Sequence, residues 1–265
     1  MTVQAYPAST VVLLRPSTSR FEVFLVRRHD NVAFMGGAHV FPGGRVDEAD
    51  RAWGDELGHH VAAARELFEE AGVLLARRAG GSMLDFAEPA EADRFHGYRA
   101  ALAAGSMTLR ELVERERLKL AFDRLAWFAH WITPDIEIKR FDTRFFVAAS
   151  PGGQHPVHDR SETTAGEWMD PADAVARCRR DEIALPPPTW TTLRRLSGFS
   201  SVDEVMAWAS GRRVVPVQPG FVRNGRVTML TLPGDPAFPP MEGVEIPAET
   251  RFILSDGRWR AARPD

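Results

Sequence analysis

Glu66, Glu69 and Glu70 fall within the run Arg65-Glu66-Leu67-Phe68-Glu69-Glu70-Ala71-Gly72-Val73. At about 100° per helical residue, Glu69 lies roughly 60° to one side of Glu66 and Glu70 roughly 40° to the other, so one stripe carries all three. Val61, Ala64, Leu67, Phe68 and Ala71 fall on the opposite side, a core face behind an acidic one. Carboxylates this close repel each other unless a cation sits among them. Oxygen donors suit Mg2+ or Mn2+ better than zinc, and Mg2+ leaves room for water and substrate phosphates. An isolated Glu-x-x-Glu-Glu would read as a solvated acidic face with Arg65 as its ion-pair partner. The upstream run Phe41-Pro42-Gly43-Gly44 shifts that reading. Glycine lets the backbone approach a metal or ligand closely, and a Gly44 carbonyl could join the carboxylates; otherwise the two glycines make an ordinary turn.

Together these residues resemble the signature of the Nudix hydrolases, Gly-x5-Glu-x7-Arg-Glu-U-x-Glu-Glu-x-Gly-U, with U a bulky aliphatic residue. The second half matches at Arg65, Glu66, Leu67, Glu69, Glu70, Gly72 and Val73. Arg65 stands 21 positions after Gly44, seven more than in the pattern, and Leu57 occupies the place of the first Glu. Asp47, Glu48, Asp50, Asp55 and Glu56 are the acids available to replace it. A lengthened box after Phe34-Met35-Gly36-Gly37-Ala38-His39-Val40-Phe41-Pro42-Gly43-Gly44-Arg45-Val46-Asp47 resembles the Nudix motif nineteen branch, whose members include coenzyme A and acyl-coenzyme A diphosphatases. Trp131-Ile132-Thr133-Pro134, Arg140 to Phe146, and Leu185-Pro186-Pro187-Pro188-Thr189 extend the likeness, which covers about 10 to 200. A coenzyme A signature of related diphosphatases matches in part. Arg28 and Gly37 fit it; Val26, His29 and Ala33 depart from it, Ala33 at its second arginine.

The resemblance implies Mg2+- or Mn2+-dependent hydrolysis of a nucleoside diphosphate linked to another moiety. Its metal would be held by Glu66, Glu69, Glu70 and Gly44. Arg65, Glu66, Glu69 and Glu162 are the candidate catalytic residues, with Arg65 orienting a carboxylate by a bidentate pair. Glu162 would bind a second metal or act as general base. Arg28, Gly43 and Arg144 are the candidate substrate contacts, and Arg140 is a further candidate for a phosphate. Coenzyme A or acyl-coenzyme A is the favoured substrate, giving 3′,5′-ADP and (acyl-)4′-phosphopantetheine, with the helical insertion described below as the expected pantetheine or acyl site. The alternatives are an ADP-ribose or NAD(H) pyrophosphatase and a Nudix-fold ligand sensor without catalysis.

A chain of 265 residues with net charge −3 can bury a large core and offers no basic surface for nucleic acid. The apolar run Val11 to Leu14 is too short for a membrane span or a signal segment. The single cysteine, Cys178, fits a buried structural thiol in a reducing compartment, and the cytoplasm is the expected location. The partner expected is a small nucleotide, with a homodimer also compatible.

The elements that must position the acids follow from periodicity. Ser9 to Leu14 and Phe21 to Arg27 read as a hairpin around Pro16-Ser17-Thr18-Ser19. Asp55 to about Ala76 reads as the acidic helix. A helical insertion spans about 85 to 126, with Thr108 and Glu111 as a capping box. Ala126 to Ile132, Arg144 to Ala149 and Thr164 to Met169 read as strands. Trp127, Phe128 and Trp131 suit core packing, with adenine stacking as the other use. Pro171 suits the start of a helix, and helices follow at Thr189 to Leu196 and Val202 to Ser210. The expected architecture is α/β, a Nudix α/β/α sandwich over 1–200, with a C-terminal β-rich extension over 201–265.

Overall fold

The computed structural model describes residues 3–30, 36–54, 56–159, 163–225 and 227–264. Glu162, Asp55, Ala33, Phe34 and Met35 lie outside these. The elements in chain order begin with β1 (Tyr6–Pro16), β2 (Phe21–Arg28), β3 (His39–Val40) and β4 (Gly43–Arg45). Helices α1 (Glu48–Arg51) and α2 (Gly58–Ala71) follow, then β5 (Ala76–Arg77), α3 (Pro89–Ala103), α4 (Leu109–Arg115) and β6 (Lys119–Leu120). Next come β7 (Ala126–Ile132), β8 (Phe141–Ala149), β9 (Thr163–Met169), α5 (Pro171–Arg179), α6 (Pro187–Leu196) and α7 (Val202–Ser210). The chain closes with β10 (Pro216–Val217), β11 (Gly220–Asn224), β12 (Val227–Thr231), β13 (Arg251–Ser255) and β14 (Arg258–Ala262).

An eight-stranded mixed sheet runs β10-β7-β8-β1-β2-β3, with β4 added on β1 and β9 on β2. Strands β1 and β2 form the hairpin, and β1 runs parallel to β8 from Tyr6 opposite Phe141 to Leu14 opposite Ala149. Alternation assigns the two faces. Val11, Leu13, Phe24, Val26, Phe146 and Ala148 point one way, onto Ala63, Leu67 and Ala71 of α2. Val12, Leu14, Val23, Leu25, Phe145 and Val147 point the other way, onto α5, α6 and α7. This is the sandwich. Leu230 and Phe252 of the antiparallel sheet β11-β12-β13-β14, with Leu232 just past β12, join the second cluster, so that sheet packs on the face opposite α2.

Helix α2 is apolar on two sides. Val61, Ala64 and Phe68 turn from the sheet toward Phe95 and Leu102 of α3 and Leu112 of α4. The insertion thus covers the second apolar side of the acidic helix. The Thr108 capping box forms as expected: the Glu111 N–H donates to Thr108 Oγ1 at 3.2 Å, and the Thr108 N–H to Glu111 Oε2 at 2.7 Å. The α-helical part stops at Arg115, β6 pairs with β5, and only a 3-10 turn at Phe122–Arg124 remains of the expected helix to 126. The acidic helix is shorter than expected. Gly72 ends it in the left-handed conformation at φ 71°, and Val73, Leu74 and Leu75 then enter the core as extended chain. Cys178 is partly buried against the same core as α5, and burial pushes its thiol up. No helix among the described residues is long and apolar enough to cross a membrane.

His59 and His60, in the first turn of α2, are partly buried and packed rather than solvated. His60 packs on Phe146 with ring centroids 4.8 Å apart and the rings tilted by 55°. His59 Nδ1 donates to the Ala8 carbonyl at 3.1 Å, and Ser9 Oγ donates to the His59 carbonyl at 2.8 Å. Burial, with Arg144 adding to it, pushes the His59 imidazole down from 6.5 to about 4. The unfolded chain therefore binds the proton more readily than the fold does. The stabilisation is fully present above pH 6.5 and is lost as pH falls toward 4. Between pH 7.5 and 4.5 this one group is expected to remove about 2 kcal/mol of unfolding free energy. His59→Gln should flatten the acid limb of a denaturant-unfolding series by that amount; an unchanged limb would contradict the assignment.

Candidate active site

Gly43 and Gly44 are not a turn. Both lie in extended β4, paired with Thr10 and Ser9 of β1. Space, not a left-handed φ, makes glycine necessary here. A Cβ on Gly44 would stand 2.3 Å from Glu66 Oε1, and one on Gly43 would stand 2.4 Å from the Ser9 carbonyl oxygen. This bareness lets the acidic stripe of α2 press against the edge of the sheet. The Gly43 N–H donates to Glu70 Oε2 at 2.9 Å. That amide serves the carboxylate, while Gly43 still lines the cavity.

Arg65 organises the remaining acids. Its Nη1 donates to Glu66 Oε1 at 2.9 Å and to Glu69 Oε2 at 3.0 Å. Its Nε and Nη2 fork onto Asp50, at 3.1 Å to Oδ1 and 2.9 Å to Oδ2, and Nη2 also reaches the Arg45 carbonyl at 2.8 Å. Asp50 is 1% exposed, and its Oδ2 accepts the Asp47 N–H at 2.9 Å, closing the first turn of α1. Of the acids that could replace the first Glu of the signature, Asp50 is therefore the one joined to Arg65 by a two-pronged bond. It stands six positions after Gly44, the spacing of the signature's Gly-x5-Glu, so the extra seven residues fall between Asp50 and Arg65. Counting back from Arg65 reached Leu57 and missed it; counting forward from Gly44 was the usable signal.

Burial pushes the Glu66 carboxyl up to about 7, Arg65 pulls it back, and Glu69 pushes it further up. Glu69 is raised by burial too. Burial also opposes the charge on Arg65, yet its bonds and proximity to Asp50, Glu66 and Glu69 outweigh that and raise it. Asp50, Glu66 and Glu69 share the Arg65 guanidinium, Glu70 and Asp159 feel that of Arg99, and the acids outnumber these two cations, a surplus of negative charge that suits a further cation. Among the described residues the acids do not close into a ligand cage. Glu66, Glu69 and Glu70 offer an oxygen-only set on the wall of a cavity, with Gly44 beside it. That fits Mg2+ or Mn2+, which complete their shells with water and phosphate.

The cavity has a volume of about 950 Å³ and takes in Arg28, Gly43, Gly44, Arg65 and the three helix glutamates. Arg28 Nε is buried with no hydrogen-bond partner among the described residues. Arg144 is not brought here. Strand alternation sends Thr143 to the cavity and Arg144 to the α2 face, where its guanidinium lies 4.7 Å from the Trp127 ring centre. Arg140 is buried as a tie, donating to the carbonyls of Thr133 at 3.0 Å and Val3 at 2.6 Å and to Gln218 Oε1 at 3.1 Å. Phe128 is core, and Trp131 lines a smaller apolar cavity.

Two residues enter the site without a local signal. Asp159 adds a carboxylate to the cavity wall. Arg99 of the insertion is buried; its Nε donates to the Glu69 carbonyl at 2.9 Å and its Nη2 to the Val157 carbonyl at 2.7 Å. It satisfies a carbonyl in the last turn of α2, where a cation also suits the helix dipole, and ties that turn to the segment leading to Asp159.

The model of the NUDT19 Nudix domain matches residues 51–196. The chain belongs to the Nudix family. Among its relatives, the human acyl-coenzyme A diphosphatase NUDT19 is 28% identical over 285 aligned residues, covering 83% of this chain and 73% of that protein. The corresponding protein of Xenopus laevis is 24% identical, covering 90% of this chain and 76% of that one. The crystal structure of a Nudix hydrolase from Alicyclobacillus acidocaldarius superposes with a TM-score of 0.66 at 26% identity, covering 78% of this chain and 97% of that one. The protein is a Nudix hydrolase, and its acid-bearing helix α2 lies within the matched segment.

Proposed function

We propose that the protein is a Mg2+- or Mn2+-dependent diphosphatase that cleaves coenzyme A and acyl-coenzyme A to 3′,5′-ADP and (acyl-)4′-phosphopantetheine. One observation carries the reading: a large cavity joins the crowded glutamates of α2 to Arg28, whose buried Nε has no partner among the described residues, and adjoins an apolar side cavity. A diphosphate needs cations at its oxygens; the arms of a coenzyme A thioester need both polar and apolar walls. The acyl-coenzyme A diphosphatases among the relatives support the same substrate class.

Glu66 and Glu70 would hold the divalent cation, with Glu69 beside them, and the cation when bound neutralises phosphoryl oxygens and lowers the barrier to attack by water. Arg65 fixes Glu66 and Glu69 relative to each other and to Asp50. Arg28, at the mouth of the apolar cavity, would bind a substrate oxygen. Water adds its oxygen to one phosphorus as the bridging oxygen leaves with the other phosphate. A cavity carboxylate accepts the proton of the attacking water, Glu69 being the first candidate. Glu162 remains a proposed second base or ligand on sequence grounds.

The test is product analysis of the purified protein with Mg2+ and a panel of coenzyme A, acetyl- and octanoyl-coenzyme A, ADP-ribose and NADH. Release of 3′,5′-ADP, lost on chelation of the metal, is the expected result. AMP from ADP-ribose or NADH alone would replace the substrate class, and no cleavage of anything would oppose the whole reading.

A further inference from the structure

The smaller cavity, about 200 Å³, adjoins the main one and shares Thr10, Arg28, Gly43, Glu137, Phe141 and Thr143 with it. It lies on the sheet face opposite α2. Three distant parts of the chain wall it: the ends of β7 and β8, the proline run at the start of α6, and the C-terminal sheet through Pro219, Leu230 and Trp259. Resting on the substrate reading above, we propose that this limb receives the acyl end of the acyl-pantetheine arm and that Trp259 helps set the chain length accepted.

The chemistry of the walls selects the occupant. Pro186, Pro187, Pro188 and Pro219 have no N–H to offer, and Trp131, Phe145 and Leu230 supply apolar surface. Polar groups gather at the boundary with the main cavity, in Thr10, Arg28, Glu137 and Thr143. Deeper in, Thr133 Oγ1 already accepts the Phe141 N–H at 3.0 Å. Thr133, Thr189 and the two indoles are the polar groups away from the boundary, few against the proline, aromatic and aliphatic walls, so a hydrocarbon chain suits the limb better than an adenine with its several ring nitrogens. Charge argues the same way. The 3′-phosphate on the adenosine half needs cations, and Arg45 and Lys139 line the main cavity but not the limb. The diphosphate and the amide-bearing pantetheine arm suit the polar main cavity, and Arg28 and Glu137 at the mouth can meet the arm's last polar groups where the acyl chain enters the limb. The helical insertion, expected to form this site, contributes Ala103 to the main cavity and none of the described lining of the limb.

The test follows 3′,5′-ADP release from coenzyme A and its acetyl, butanoyl, hexanoyl and octanoyl thioesters. In the native protein kcat/KM is expected to climb by up to about fourfold per added methylene until the limb is filled, the factor expected when a methylene leaves water. Trp259→Ala is expected to lower the octanoyl-to-free coenzyme A ratio of kcat/KM at least tenfold, and Trp259→Phe to restore much of it. Both variants are checked for cooperative thermal unfolding. If Trp259→Ala does not fold, the native chain-length series and Trp259→Phe still decide. A flat native series with 3′,5′-ADP still formed would overturn the assignment of the limb while leaving the substrate class standing. An equal loss on coenzyme A, its thioesters and ADP-ribose would place the nucleotide in the limb and overturn it too. Failure to release 3′,5′-ADP from any thioester would remove the substrate class, and the limb assignment with it.

Discussion

Glu70→Gln is expected to lower kcat by on the order of 10³ while leaving the fold intact. The amide has the shape of the carboxyl, and its carbonyl oxygen can still accept the Gly43 N–H that Glu70 Oε2 now accepts at 2.9 Å. The loss is one negative charge in a set of oxygen donors. Removing a charge from a crowded acidic cluster relieves repulsion, so the unfolding midpoint should hold or rise slightly. The effect belongs mainly in kcat, because the cation acts most strongly on charge that develops at the phosphoryl oxygens. Steady-state kinetics at saturating Mg2+ together with a thermal melt separate the two effects. Native-like turnover in this variant would sink the assignment of α2 as the metal-bearing helix.

Arg65→Ala should act first on stability. Asp50 and Arg65 have side chains 2% and 12% exposed, and Glu66 and Glu69 are nearly as enclosed at 13% and 17%. Without the guanidinium, three largely buried carboxylates lose their shared counter-charge, and Asp50 loses a two-pronged bond. Breaking a buried pair from one side costs about 3–5 kcal/mol. That is a large part of the roughly 5–15 kcal/mol that holds a typical domain folded. Denaturant unfolding at neutral pH without metal measures it directly. Arg65→Lys should recover part of the loss, since an ammonium restores charge but cannot fork onto Asp50 while also reaching Glu66 and Glu69. A cost below about 1 kcal/mol for Arg65→Ala would show that water already screens these acids.

The acidic stripe of α2, its apolar sides, the β1–β2 hairpin, β7 and the Thr108 cap could all be read directly from the amino acids. Each depends on side chains a few positions apart and on a backbone period of 3.6 or 2, so local geometry was enough. The lengthened box and its residues also carried the family. Distance along the chain is what hid the rest. Asp50 meets Arg65 across a box whose extra seven residues displaced the count, and Arg99 reaches the Glu69 carbonyl from a separate helix. Gly43 and Gly44 could be recognised as necessary, but the reason is a clash with Glu66 and Ser9 rather than a turn, and only the packed pair of elements reveals it. Arg144 had the right chemistry for a phosphate; one step of strand register put it on the wrong side of the sheet. The apolar limb is the extreme case, with walls from β7, the prolines before α6, and strands β12 and β14. The sequence by itself determined which groups could bind a cation and a phosphate, because that follows from residue type and local period. Only the tertiary structure decided which of them face one cavity, because that depends on long-range pairing and on which side of a sheet each residue falls.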